Sequence, residues 1–153
     1  MLFRSASEAD GYAFLPKVEY FSVISVAADF KPKLLERVVP ADADDGVAGI
    51  EYRLMPEFEQ RMKKRILHIL GLAAERGHDA IVLSAFGCGA FRNPPRHVAE
   101  LFRETIKTYS FHHQFRYIMF AIFDDHNSHQ EHNPDGNFKP FYQVFYKKQF
   151  APK

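Results

Sequence analysis

An α/β fold, with a largely parallel sheet between two layers of helices, is predicted by two features of this sequence. The first is a set of three continuous apolar runs: Phe21 to Ala28 (FSVISVAA), Ala80 to Phe86 (AIVLSAF) and Tyr117 to Phe123 (YIMFAIF). Strands covered by helices on both faces read this way, because neither face meets water. The second is the helical spacing of apolar residues in the stretches between the runs. Strand, helix, strand, helix, strand makes two right-handed crossovers and a parallel sheet.

Each element has its own local signals. After the first run, Pro40 to Gly49 (PADADDGVAG) reads as a loop. A long helix follows over about Pro56 to Arg76, with Phe58, Met62, Ile66, Ile69, Leu70 and Ala73 on one stripe. Gly77 is placed to end it in the left-handed conformation. Between the second and third runs, Val98, Leu101, Phe102, Ile106 and Tyr109 recur at helical spacing. Pro95 suits that helix's first turn, where a missing N–H costs nothing. Ser110 to Phe115 (SFHHQF), with adjacent histidines, reads as a connector. The C-terminal NFKPFYQVFYKKQF reads as a closing helix or an edge strand, with Pro140 limiting either, and the helix is preferred.

Length and composition bound the rest. The 153 residues suit a single domain with a real core, and 46% hydrophobic against 25% charged residues is ordinary for a globular chain. Twenty basic and nineteen acidic residues leave a net charge of +1, so bulk charge draws the chain to neither nucleic acid nor membrane. One cysteine excludes an internal disulfide framework and fits an intracellular setting, cytoplasmic or, in a eukaryote, nuclear. The N-terminus lacks the build of a signal peptide, and no apolar run reaches the roughly eighteen residues of a membrane span. Sixteen phenylalanines and seven tyrosines, with no tryptophan, promise an aromatic core or an aromatic-lined pocket.

In an open parallel sheet, ligands bind where the carboxyl ends of the strands meet helix N-termini. Those ends are Ala27-Ala28-Asp29, Gly87-Cys88-Gly89-Ala90-Phe91 and Asp124-Asp125-His126-Asn127. Without side chains, Gly87 and Gly89 let backbone N–H groups turn toward an anion, and the following helix dipole adds partial positive charge. A phosphate or diphosphate fits such a nest, with Phe91 placed to pack on a sugar or base. The same Gly-x-Gly also serves simply as a tight strand-to-helix turn.

Two further groups have chemical readings. Cys88 precedes a helix, and His97 is the nearest base in sequence for a nucleophilic pair. Cysteine is also a small, soft residue that fills a crowded loop, and that is the reading taken. His126, His129 and His132 lie at intervals of three beside carboxylates, a pattern that can bind zinc. Their Asn-, Gly- and Pro-rich segment is a loop, so a solvated polar loop is preferred, and no metal or cofactor is assigned.

The segments FSVISVAADFKP, IVLSAFGCGAFRNPPRHVAELF and FAIFDD resemble the microbial-type poly(ADP-ribose) glycohydrolase domain over about Phe21 to Phe145. That family is grouped with the macrodomain-like ADP-ribose binders. The resemblance implies one macrodomain-like three-layer α/β/α domain over residues 1–153, with the N-terminal part of the family domain missing. It also implies that Gly87, Cys88, Gly89, Ala90, Phe91 and Asn93 hold the diphosphate and ribose of ADP-ribose. Ala28, Asp29 and Asp124 would add strand-end or adenosine contacts. The family's AAPN stands here as Ala27-Ala28-Asp29-Phe30.

The family's triple glycine and Gln-Glu-Glu, whose glutamate protonates the departing group, are absent from this sequence. Glycoside cleavage needs such a positioned carboxyl group. Three readings follow: an ADP-ribose-binding module with little or no activity, a hydrolase completed by substitute carboxylates or another chain, and a structural or assembly domain without ligand. The expected partner is ADP-ribose or an ADP-ribosylated protein, with no direct contact to nucleic acid or membrane. Missing strands would leave a sheet edge open to self-association or a partner chain.

Overall fold

In a computed structural model, the structure describes residues 20–39 and 49–146. The order is β1 (Leu34–Val39), β2 (Gly49–Leu54), α1 (Pro56–Glu75), β3 (Ala80–Leu83), α2 (Pro95–Thr108), α3 (Phe111–Gln114), β4 (Tyr117–Phe120) and α4 (Phe138–Phe145). Mixed α/β structure is therefore present, with β3 and β4 paired in parallel from Ala80↔Tyr117 to Leu83↔Phe120.

Both long helices form where the periodicity places them. Pro occupies the first turn of each, and α1 buries Met62, Ile66, Ile69, Leu70 and Ala73. Gly77 takes φ +74° just past α1, and its N–H reaches the carbonyl of Ala74. In α2, Val98, Leu101, Phe102 and Ile106 are buried, while Tyr109 lies just beyond the helix and half exposed. The C-terminal helix is real and contains Pro140; the expected residues after Tyr146, like most of the Pro40 to Gly49 loop and the N-terminal stretch before Tyr20, lie outside the described residues. The expected connector at Ser110 to Phe115 contains one helical turn, entered through Ser110 at φ 56°.

The sheet departs from expectation in three ways. Phe21 to Ala28 forms no strand ladder, and most of it is exposed. A groove of about 870 Å³, lined by Tyr20 to Val26 and by Ala80 to Ser84, lies beside β3. An apolar run specifies burial, but a strand also needs a partner within hydrogen-bond reach. Second, β1 and β2 form an antiparallel pair on either side of the Pro40 to Gly49 loop, in the register Leu34↔Leu54 to Val39↔Gly49. Third, helices cover one face of the β3–β4 sheet among the described residues, so the three-layer arrangement is not seen there. Ile81, Leu83, Ile118 and Phe120 face the core, whereas Val82 and Met119 are 67% and 58% exposed on the other side.

Aromatic rings fill the covered side. Phe102 of α2 meets Phe120 of β4 edge-on at 5.3 Å, and Phe120 touches Phe141 and Phe145 of α4 at 5.2 and 4.7 Å. Such pairs add attraction beyond the area they bury. His97, fully buried in α2, ties this core to β2, because its Nδ1 accepts the Leu54 N–H at 2.9 Å. The ring proton therefore sits on Nε2, 3.5 Å from the Glu59 carboxylate.

Burial, reinforced by the nearby Arg53 charge, pushes the His97 pKa down to about 4. An unfolded histidine titrates near 6.5, so the stability held by a neutral His97 is complete above that pH and is lost as pH falls toward 4. We expect the melting temperature of the wild-type chain to fall across this window. His97→Asn, whose amide oxygen still accepts the Leu54 N–H, should show a shallower fall in melts followed by circular dichroism.

Candidate functional site at the strand ends

Two loops meet where β3 ends. Gly87 has φ +75°, and a Cβ on it would lie 2.5 Å from the Ala28 Cβ and 2.7 Å from Asn93 Nδ2. Glycine is therefore required there twice over, by conformation and by space. The Asn93 side chain is fully buried, and its Nδ2 donates at 2.9 Å to the carbonyls of both Asp29 and Gly87. The Lys31 N–H donates to the Phe91 carbonyl at 2.8 Å. The loop after the first apolar run is thus stitched to the glycine loop by backbone and amide.

Within the glycine loop, the N–H groups of Cys88, Arg92 and Asn93 donate to the carbonyls of Ala85, Gly89 and Gly87. Those of Gly89, Ala90 and Phe91 donate to no acceptor among the described residues. Consecutive unspent donors ahead of a helix N-terminus are the kind of backbone arrangement that anions bind. Gly89 keeps an ordinary φ, and the nearest atom to a Cβ there would be the Asn127 Cβ at 3.7 Å. A pocket of about 180 Å³ beside Pro94 and Pro95 includes none of residues 87–91, of which Ala90 and Phe91 are exposed.

Aromatic and charged groups flank these donors. The exposed Phe30 and Phe91 rings meet edge-to-face at 5.5 Å, with Lys31 Nζ 5.0 Å above the Phe30 ring. Asp29 turns its carboxylate to α1, where Arg65 holds it at 2.6 and 3.3 Å and Arg61 at 3.4 Å. The Arg65 hydrogen bonds hold the Asp29 carboxyl below its ordinary range. Ala28 is buried beneath Gly87.

The third strand end is a polar framework that the sequence reading missed. Asp124 Oδ1 accepts hydrogen bonds from the N–H groups of Asn137 and Phe138 and from Ser128 Oγ, at 2.6, 3.2 and 3.1 Å. It thereby caps α4. Asn133 and Asn137, both buried, complete the network through Nδ2 of Asn133 at 2.8 Å. Gly136, at φ +74°, leaves room for the Asp124 carboxylate. The dense Asn, Ser, Gly and Pro of this segment were the available signal for an ordered turn rather than a solvated loop.

Neither alternative chemistry is assembled. Cys88 is fully buried and burial pushes its thiol pKa up, while the Nδ1 of His97 is taken by the Leu54 N–H. The three histidines go separate ways: His126 to Asn127, His129 to the Pro134 carbonyl, and His132 to the Cys88 carbonyl at 2.8 Å. His132 thus braces the glycine loop from below. Among the described residues, no group of three or more His, Cys, Asp or Glu side chains could hold a metal ion, and no helix is long and apolar enough to cross a membrane.

Comparison with solved structures gives a consistent set of neighbours. The chain is 30% identical to poly(ADP-ribose) glycohydrolase from Deinococcus radiodurans in complex with ADP-ribose, with TM-score 0.52 over 61% of this chain and 35% of that one. A second crystal form of that complex matches at 31% identity and TM-score 0.50, covering 58% and 33% of the two chains. The domain is poly(ADP-ribose) glycohydrolase-like. The apo form matches likewise, at 30% identity and TM-score 0.50 over 58% and 34%. This glycohydrolase-like chain spans about a third of the length of these neighbours. No protein-family model and no curated protein matches it.

The two loop glycines should separate in a urea titration. Gly87→Ala meets both the left-handed backbone and a filled space, so we expect a loss of about 2 kcal/mol or more. Gly89→Ala should stay within about 0.5 kcal/mol of wild type.

Proposed function

We propose that this chain is an ADP-ribose-binding module related to poly(ADP-ribose) glycohydrolases, with little or no hydrolytic activity of its own. The observation that carries the reading is the run of three unspent N–H donors at Gly89, Ala90 and Phe91. They would take the diphosphate, within a loop of Gly87, Cys88, Gly89, Ala90, Phe91 and Asn93, with Phe91 against the adjoining ribose. Ala28, Asp29 and Asp124 would line the neighbouring strand ends. The similarity to a glycohydrolase seen in complex with ADP-ribose supports the same ligand class. In this reading the described elements contribute to a macrodomain-like three-layer α/β/α domain.

The carboxylates support binding over cleavage. A general acid must hold a proton near neutral pH, which calls for a raised pKa. Asp29 is held low by Arg65, and the Asn127 N–H holds Asp125 low as well. Asp124 spends one oxygen on three donors.

Calorimetry with free ADP-ribose tests the proposal. The expected affinity is micromolar in scale, about −8 kcal/mol. Gly89→Val should abolish binding while leaving the melt little changed, because its side chain meets Asn127 only at ordinary contact distance and fills the space the diphosphate would occupy. A folded wild-type chain that gives no heat at millimolar ligand overturns the binding reading. The same preparation should release ADP-ribose from polymer at the buffer rate; turnover lost in Asp29→Asn or Asp124→Asn would establish an active enzyme instead.

The uncovered sheet face favours a second, compatible reading, self-association. Val82, Met119 and Phe123 are exposed on or just beyond one side of β3 and β4, and contiguous apolar surface of this kind marks contact sites. Sedimentation velocity should show a dimer that Val82→Lys with Met119→Lys converts to monomer. A wild-type chain that stays monomeric at all accessible concentrations rules this out.

A further inference from the structure

Phe30 and Phe91 are unusual for what holds them. Scattered exposed phenylalanines are ordinary on a protein surface, but these two meet at 87° and form a corner. Phe30 remains 62% exposed and Phe91 37% exposed, so the contact buries only part of each ring. The residue after each one, Lys31 and Arg92, has a left-handed backbone with φ 47° and 59°. Non-glycine residues persist there only where surrounding contacts over-determine them, and such positions gather at ligand sites. Here the over-determining contacts are the Lys31 N–H to Phe91 carbonyl bond and the Asn93 amide on the Asp29 carbonyl. The backbones that carry both rings are therefore fixed, and the rings meet while staying in solvent.

The corner adjoins the anion site by covalent structure, since Phe91 supplies one of the three unspent N–H groups as well as a ring. Lys31 adds a cation beside the same corner. We infer that the Phe30–Phe91 corner is a specificity element that selects diphosphates bearing a ring, a sugar or base, over the bare diphosphate anion. The inference rests on the binding reading above and adds to it a residue, Phe30, and a discrimination. The N–H groups recognise charge and cannot tell one diphosphate from another. A fixed aromatic surface stacks on the face of a ring and gives nothing to the inorganic ion.

The test is a pair of affinities measured on wild type, Phe30→Ala and Phe30→Tyr: ADP-ribose by direct calorimetry, and inorganic diphosphate by displacement of ADP-ribose. Loss of one stacking surface should weaken ADP-ribose by about tenfold or more in Phe30→Ala. Diphosphate should compete with an unchanged constant, and Phe30→Tyr should retain the wild-type affinity for ADP-ribose. Phe30 lies on the surface, so the alanine variant should melt as wild type does. Equal ADP-ribose affinity in wild type and Phe30→Ala overturns the inference while leaving the binding module intact. Equal weakening of both ligands also overturns it, because Phe30 would then be supporting the loop rather than selecting a ring. A wild-type chain that binds neither ligand removes the binding reading itself, and the corner's role with it.

Discussion

The buried amide of Asn93 is the point through which the strand ends are joined. Its Nδ2 donates to the Asp29 carbonyl on one loop and the Gly87 carbonyl on the other, at equal distances of 2.9 Å. Gly87 must lack a side chain because Asn93 and Ala28 fill the space where one would be. With Gly87 turned left-handed, the chain closes back through the Asn93 N–H onto the Gly87 carbonyl. The N–H groups of Gly89, Ala90 and Phe91 are then left without acceptors among the described residues. An unmade hydrogen bond is tolerated here because these donors sit at the surface, within reach of water. Asn93 immediately precedes Pro94 and α2, so the same residue sets the start of the helix whose dipole faces the loop.

Charge around this joint is divided between the helices and the loops. The Asp29 carboxylate, which could have repelled an anion, is turned to Arg65 and Arg61 of α1. Lys31 and the unspent amides remain on the loop side. Asp124 is committed to the N-terminus of α4, a stabilising place for a carboxylate because it meets unpaired N–H groups and the positive end of the dipole. Asp29 thus ties the loop that carries Phe30 to α1, and Asp124 ties the end of β4 to the start of α4.

The interior is organised by aromatic contacts on one side of a two-stranded parallel sheet. Phe102, Phe120, Phe141 and Phe145 link α2, β4 and α4 through ring-to-ring contacts. The opposite side has Val82, Met119 and Phe123 in solvent.

The helices were legible in the sequence because a helix satisfies its backbone within itself, so apolar spacing, Pro95 and Gly77 suffice to mark α1 and α2. The apolar runs at Ala80 and Tyr117 likewise found β3 and β4. A strand, however, is completed by a partner elsewhere in the chain, and no local pattern states whether that partner comes within reach. The run from Phe21 to Ala28 reads as a strand and stands beside a groove, while β1 and β2 pair across a loop. At the site, glycine spacing pointed to the loop after β3, yet the sequence could not distinguish the glycine that packing requires from the one that is free. It also could not show that Asn93 turns inward, that Asp29 faces two arginines, or that Phe30 meets Phe91. Those relations join residues up to 64 positions apart, and only the folded backbone brings them within a few ångströms.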